Sequence, residues 1–236
     1  INWTIKKENL QKIVNVQQAH IINDLQAHAY SLLTLKKSEL RHIYGKTHLD
    51  KSKRMLVCGI GTGCNMAITI PTQSGIVIPP SEAGHVRLPV RNASEKKIAD
   101  FIVKKNGFPE VEQVLSGKGM ALINSIFFPN KPRSSLDVIN NGNSDTEARH
   151  VIDVFAGFAG SYFGDLALIT LPEGGIFLAG GLAKAVSPYL KENNFGEAFC
   201  DKGRFADFNK NMAIYLINDD YAALKGCAVF LNQVYY

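Results

Sequence analysis

The 236-residue sequence contains no unbroken apolar run of the ~20 residues that a membrane-spanning helix needs. Its longest apolar stretch, around Val151–Leu171, is interrupted by Asp153, Gly157, Gly160, Ser161, Gly164 and Asp165. No membrane partner is expected. The opening Ile1-Asn2-Trp3-Thr4 has neither a basic n-region nor an apolar h-region, so it is no signal peptide. It also lacks an initiator Met and enters mid-pattern, and a missing N-terminal segment is expected. Cysteine is scarce. Cys58, Cys64, Cys200 and Cys227 form no C-x-x-C pair and no metal spacing, and read as buried free thiols of a reducing, cytoplasmic compartment. An excess of one charge is absent too: 26 basic residues face 21 acidic ones, a net +5. The basic residues are scattered, without aromatic interleaving, and point to solvated helix faces rather than to nucleic acid. There is no low-complexity segment and no internal repeat.

What is present is an ordinary globular balance, 46% hydrophobic and 20% charged. Thr4 can cap a helix through about Val16, and His20–Asn23 reads as a short strand. A helix from Asp24 carries Leu25, Ala29, Leu32 and Leu33 on its apolar side. Lys46–Arg54 is a polar loop before the apolar run Met55–Gly59, a central strand. A glycine turn leads into strands at Met66–Ile70 and Ile76–Ile78. Helices are predicted at Ser94–Lys105 and Gly117–Phe127, and a loop at Pro129–Asn143. Ser144 and Glu147 form a capping box for a long helix through about Ile169, whose small residues would let a neighbour approach closely. A strand Ile176–Ala179 follows, then helices near Lys184–Lys191 and Phe195–Cys200. A strand Ala213–Ile217 and a helix from about Asp220 end the chain. Strands alternating with helices predict an α/β domain.

Four segments could carry chemistry. In Cys58-Gly59-Ile60-Gly61-Thr62-Gly63-Cys64-Asn65 the glycines do not open a helix, so a dinucleotide fingerprint does not fit. A strand–glycine–strand hairpin does fit. Its tip can wrap phosphate oxygens with backbone N–H groups and the Thr62 hydroxyl, or can be a bare tight turn. Gly180-Gly181 lies between a strand and a helix, where it could admit a nucleotide or simply reverse the chain. Asp24 stands where an apolar segment becomes a helix. It reads either as an N-cap or as a carboxylate at a sheet edge that could take a proton from an attacking hydroxyl. Ser81-Glu82-Ala83-Gly84-His85 is a loop whose carboxylate and imidazole suit the hydroxyls of a polyol. A third zinc ligand has no source, so no metal site is assigned. Glu112, before Leu115-Ser116-Gly117-Lys118-Gly119, carries nothing alone.

In order along the chain these segments resemble the bacterial-type glucokinase family of the actin/hexokinase/Hsp70 ATPase superfamily. Asn23-Asp24 resembles its I-I-N-D-F element and Gly59–Gly63 its G-x-G-T-G hairpin. Glu82–His85 resembles G-E-G-G-H-V, and Glu112–Gly119 resembles E-R-V-L-S-G-P-G. Gly174–Gly181 resembles G-G-V-F-I-A-G-G, and Phe199–Phe205 keeps F-x-D-K-G-R-F. The resemblance implies a ribonuclease-H-like large lobe of a two-lobed sugar kinase, with a mixed sheet flanked by helices. It implies ATP-dependent phosphorylation of D-glucose to glucose 6-phosphate, with ATP and Mg²⁺ as cofactors. Asp24 would be the base facing the sugar 6-hydroxyl. Asn23, Glu82, His85 and Glu112 would hold the other hydroxyls. Gly61, Thr62 and Gly63 would cradle phosphates, and Gly180 and Gly181 would line the nucleotide cleft.

The sequence departs from the pattern at Ser81 and Ala83, which add bulk beside the sugar, and at Lys118, which replaces Pro. The family's small-domain hairpin G-D-x-G-G-T-N has no counterpart, and only Trp3 matches its T-N-x-x-W sugar loop. Residues 1–50 are therefore expected to be the end of a small lobe, a crossover and the sugar-site helix. Residues 51–236 are expected to be the large domain that binds sugar and ATP. This stretch alone is expected to turn over little. A sugar-sensing regulator or a broader hexose kinase on the same fold is the alternative. A cysteine-rich zinc cluster, which such regulators often carry, is absent between Cys64 and Cys200. A homodimer is left open by the apolar C-terminal helix.

Overall fold

The structure is a computed structural model that describes residues 4–235. Its strands are β1 (Leu40–Tyr44), β2 (Met55–Ile60), β3 (Cys64–Thr72), β4 (Gly75–Val77), β5 (Gly175–Ala179) and β6 (Ile214–Ile217). The helices are α1 (Lys7–Val14), α2 (Asp24–Ser31), α3 (Ala93–Asn106), α4 (Gly117–Phe127), α5 (Ser135–Asn141), α6 (Thr146–Thr170), α7 (Gly181–Val186), α8 (Asn193–Cys200), α9 (Ala206–Lys210) and α10 (Ala222–Tyr235). One sheet runs β1-β6-β5-β2-β3-β4. Strands β2, β3 and β4 form an antiparallel meander, β5 and β6 continue parallel to β2, and β1 closes the far edge antiparallel to β6. This is the mixed, helix-flanked sheet of the ribonuclease-H-like class.

Every residue of β2 is buried, because helices cover both faces of the sheet. The period of two divides its side chains between two cores. Leu56, Cys58 and Ile60 join Phe155, Phe158 and Phe163 of α6 on one face, while Met55 and Val57 join Leu25, Ala29 and Tyr30 of α2 on the other. Helix α6 is long and apolar enough to cross a bilayer, but it is mostly buried against the sheet and α8 as a core helix. Its small residues permit the close packing that their pattern predicted. A Cβ at Gly160 would collide with the carbonyl oxygen of Phe195 in α8.

Several local expectations are corrected. Thr4 does not cap α1. The N-cap is Lys6, without a side-chain hydrogen bond, and Asn15 ends the helix in the left-handed region at φ 51°. Residues 20–23 are not assigned to a strand; Asn23 is instead the cap of α2. Strand β1, unexpected from sequence, pairs with β6 through Leu40↔Ile217 to Tyr44↔Ile214. The loop predicted at Pro129–Asn143 contains α5, whose Ser134 cap accepts from the Asp137 N–H at 3.1 Å. Asp145, not Ser144, caps α6, accepting from the N–H groups of Glu147 and Ala148 at 2.8 and 3.1 Å. All four cysteines are free, but only Cys58 and Cys64 are buried; Cys200 and Cys227 are half-buried. Trp3, matched above to a sugar loop, lies outside the described residues.

Candidate functional site

At the end of β2 the antiparallel ladder closes at Ile60↔Cys64, leaving Gly61-Thr62-Gly63 as a three-residue tip. The Gly61 N–H donates to the Gly63 carbonyl at 2.9 Å, and the Gly61 carbonyl accepts from the Gly117 N–H at 3.0 Å, at the start of α4. The tip is thus held by backbone and presents little side-chain bulk. Gly63 has a second reason to be glycine: a Cβ there would meet the Glu112 carboxylate. That carboxylate in turn accepts from the Cys64 N–H at 2.9 Å.

Asp24 is the first residue of α2. The preceding Asn23 accepts from the Leu25 N–H at 2.9 Å, and Gln26 reaches back to the Asn23 N–H at 3.1 Å. Gln26 also donates to the Ile78 carbonyl at 2.8 Å, which ties the start of α2 to the chain leaving β4. With the cap supplied by Asn23, the Asp24 side chain is exposed at the cleft mouth, its Oδ1 2.8 Å from the Leu25 nitrogen.

These elements surround a cleft of about 270 Å³. It brings together Asp24, Glu82, Glu112, Gly61, Thr62, Gly63 and Gly180 from opposite ends of the sequence. Gly180 adopts φ 101° at the turn after β5, against the backbone of Ile60. The other predicted site residues are nearby but do not line the cleft. Asn23 serves as the helix cap, and Gly181 begins α7 facing open space. His85 sits at the rim, its Nε2 3.8 Å from the exposed Glu82 carboxylate.

His85 has a firmer partner than Glu82. Its Nδ1 lies 2.9 Å from Glu110. That hydrogen bond raises the His85 pKa above its ordinary value against the opposing cost of burial, and the charges of Glu110, Glu112 and Glu82 add to the rise. With Nδ1 committed to Glu110, Nε2 is the nitrogen left to face a ligand. Burial, followed by the charge of Glu112, pushes the Cys64 thiol up to about 12, so it is no nucleophile. Among the described residues no group of three His, Cys, Asp or Glu side chains could hold a metal ion.

Two residues of the cleft were not singled out from sequence. His28 lies one helical turn after Asp24, and its buried Nδ1 has no hydrogen-bond partner. Burial lowers its pKa more than the Asp24 charge raises it, which favours the neutral imidazole. Its i, i+4 spacing from Asp24 was the available signal. Asn65 lines the cleft beside the hairpin; as the residue after Cys64 in an alternating strand it carried no signal of its own.

Chemically, the arrangement sets carboxylates and an imidazole, acceptors for hydroxyls, beside a hairpin tip whose Thr62 and Gly63 N–H groups and Thr62 hydroxyl suit an anion. The sequence model of the family described as Glucokinase matches residues 1–234 of the chain. A glucokinase of Erwinia tasmaniensis is 28% identical over 239 residues, covering 98% of this chain and 74% of that protein. One from Shigella flexneri serotype 5b is 30% identical over 241 residues, with 98% of this chain and 74% of the relative covered. Among solved structures, a glucokinase from an Antarctic psychrotroph matches with a TM-score of 0.85 at 26% identity, covering 96% of this chain and 72% of that one.

Proposed function

The chain belongs to the glucokinase family, the enzymes that phosphorylate glucose from ATP, and from that premise we propose that the cleft between α2, the β2–β3 hairpin and the Glu82 loop is its glucose and ATP site. The observation that carries this reading is the placement of Asp24 and Glu82 in one cleft with the Gly61–Gly63 tip. Asp24 is the base. Its carboxylate accepts the proton of the sugar 6-hydroxyl as that oxygen bonds to the γ-phosphorus and the bond from phosphorus to the bridging β,γ-oxygen breaks, releasing ADP. Carboxylate is intrinsically a weak base, so its work is mostly orientation of the hydroxyl, with proton transfer late.

Asn23, which also caps α2, Glu82, Glu112 and the Nε2 of His85 hold the remaining hydroxyls. A sugar lacking the right hydroxyl leaves these groups unpaired, which penalises the wrong hexose. The Gly61–Gly63 tip takes phosphate oxygens through the N–H groups of Thr62 and Gly63 and the Thr62 hydroxyl, with Gly61 closing the tip by its N–H to the Gly63 carbonyl, and Gly180 with Gly181 leaves room for the nucleotide. Residues 59–65 contain no cation, which fits a triphosphate that arrives with Mg²⁺ to neutralise its charge. Such an ion would be held mainly by phosphate oxygens and water and would neutralise phosphate charge; with Asp24 engaged by the sugar hydroxyl, no residue of the cleft is assigned to it. In this reading residues 51–236 are the domain that binds sugar and ATP, and residues 1–50 contribute the sugar-site helix. Cytoplasmic residence and a homodimer complete it.

The test is ATP-dependent phosphate transfer by the purified full-length protein to glucose, mannose, fructose and N-acetylglucosamine. The expected result is transfer to glucose at a kcat of roughly 1–10³ s⁻¹, with a lower kcat/KM for the others. Glucose binding without any transfer from ATP would contradict the reading and leave a sugar-sensing protein.

A further inference from the structure

The Glu82 loop carries two residues with side chains, Ser81 and Ala83, where the family pattern has glycine, and one side chain from the neighbouring strand clasps it on both sides. Asn65, at the start of β3, donates from Nδ2 to the Ser81 carbonyl at 2.6 Å. Its Oδ1 accepts from the Ala83 N–H at 3.0 Å and from the Met66 N–H at 2.8 Å. Two N–H donors on one side and a carbonyl on the other fix which way the amide points. Ser81 and Ala83 flank Glu82, so a single carboxamide spans the backbone of that residue. The rest of the loop is equally tied. The Ala83 carbonyl accepts from the Tyr162 hydroxyl at 2.8 Å, and the Gly84 carbonyl accepts from the Glu112 N–H at 2.9 Å. Glu82 itself has no such tether: its side chain is 79% exposed, and its ion-pair contact is the 3.8 Å approach of His85. Its direction therefore depends on its backbone.

We infer that Asn65 is a positioning residue for glucose binding: by clasping Ser81 and Ala83 it aims the Glu82 carboxylate into the cleft and ties the sugar loop to the phosphate hairpin. The inference rests on the reading of Glu82 as a sugar ligand. Asparagine suits the task because it donates and accepts at once at the length of one methylene. Aspartate keeps the acceptor but sets a carboxylate oxygen against the Ser81 carbonyl, and alanine keeps neither.

The test is a double-mutant cycle on the full-length protein, read as KM for glucose, KM for ATP and kcat. Asn65→Ala removes two loop hydrogen bonds and is expected to raise KM for glucose roughly tenfold, leaving kcat and KM for ATP within about threefold. Asn65→Asp, nearly isosteric, is expected to change the same parameter in the same direction. In a Glu82→Ala background, adding Asn65→Ala is expected to change KM for glucose little, because a residue that acts through Glu82 has nothing left to aim. Two single effects that multiply in full would overturn the inference, and so would an unchanged KM for glucose in both Asn65 variants while Glu82→Ala raises it; the sugar site would stand in either case. An unchanged KM in Glu82→Ala would instead remove the sugar role of Glu82, and the inference with it. The Ala83 N–H also lies 3.1 Å from the Ser81 hydroxyl, so the clasp itself is read in a Ser81→Ala background, where adding Asn65→Ala is expected to speed amide exchange at Ala83; unchanged exchange there would contradict it.

Discussion

The two walls of the cleft differ in what builds them. The hairpin wall, Gly61 to Gly63, is backbone held by backbone, with the Gly61 carbonyl pinned by the Gly117 N–H at 3.0 Å. The opposite wall presents side chains, with His85 2.9 Å from Glu110 and Glu82 carried on a loop whose backbone the Asn65 side chain clasps. Backbone donors suit a phosphate, whose oxygens are alike and need many equivalent N–H groups. Side-chain acceptors suit a sugar, whose hydroxyls differ only in direction. The walls meet at Glu112, which accepts from the Cys64 N–H of the hairpin at 2.9 Å while lining the cleft.

The contrast can be broken first at Asp24. Asp24→Asn keeps the shape and removes the proton acceptor, so kcat is expected to fall by about 10²–10⁴ with KM for glucose nearly constant. Steady-state kinetics check this, and a kcat within threefold of wild type would take Asp24 out of the chemistry. The junction comes next. Gly63→Ala drives a Cβ into Glu112, a misfit of about 1–3 kcal/mol. It is expected to raise KM for ATP and for glucose together, roughly 5–100-fold. A rise in only one would mean the walls are independent.

The smallest effect sharpens the side-chain wall. The hydrogen bond to Glu110 holds the His85 pKa above the ordinary imidazole value of 6.5. A folded-state pKa raised in this way stabilises the fold fully below the unfolded value, and the contribution is lost as pH rises through the folded pKa. Glu110→Gln is expected to move the imidazole titration, followed by NMR, down toward 6.5, and with it any pH dependence of KM for glucose. An unmoved midpoint would mean that the neighbouring carboxylates, not Glu110, set the charge of His85.

The same contrast explains how much could be read from sequence. Backbone-built features leave a compositional trace. The glycines of the hairpin, the run Met55–Gly59 and the helix Gly117–Phe127 are legible because bulk and burial dictate them locally. Cap choice was less legible: Ser144, Asp145 and Glu147 offer competing local bonds, and the observed geometry favours Asp145, which satisfies two N–H groups at once. Helix α5 hides among Asn and Ser, where Ser134 and Asp137 make a box that composition alone does not distinguish from a loop. Strand β1 depends on a partner 170 residues later in the chain, at the far edge of the sheet, so short-range patterning could not reveal it. The clasp of Asn65 on Ser81 and Ala83 is of the same kind, a long-range side-chain contact with no local signature.

The most direct measurement is a structure of the full-length protein with glucose and a non-hydrolysable ATP analogue. The account predicts the sugar 6-hydroxyl at hydrogen-bond distance from the Asp24 carboxylate, about 2.6–3.2 Å, with phosphate oxygens against the Gly61–Gly63 tip. Glucose bound away from Asp24, or a nucleotide whose phosphates do not touch that tip, would contradict it.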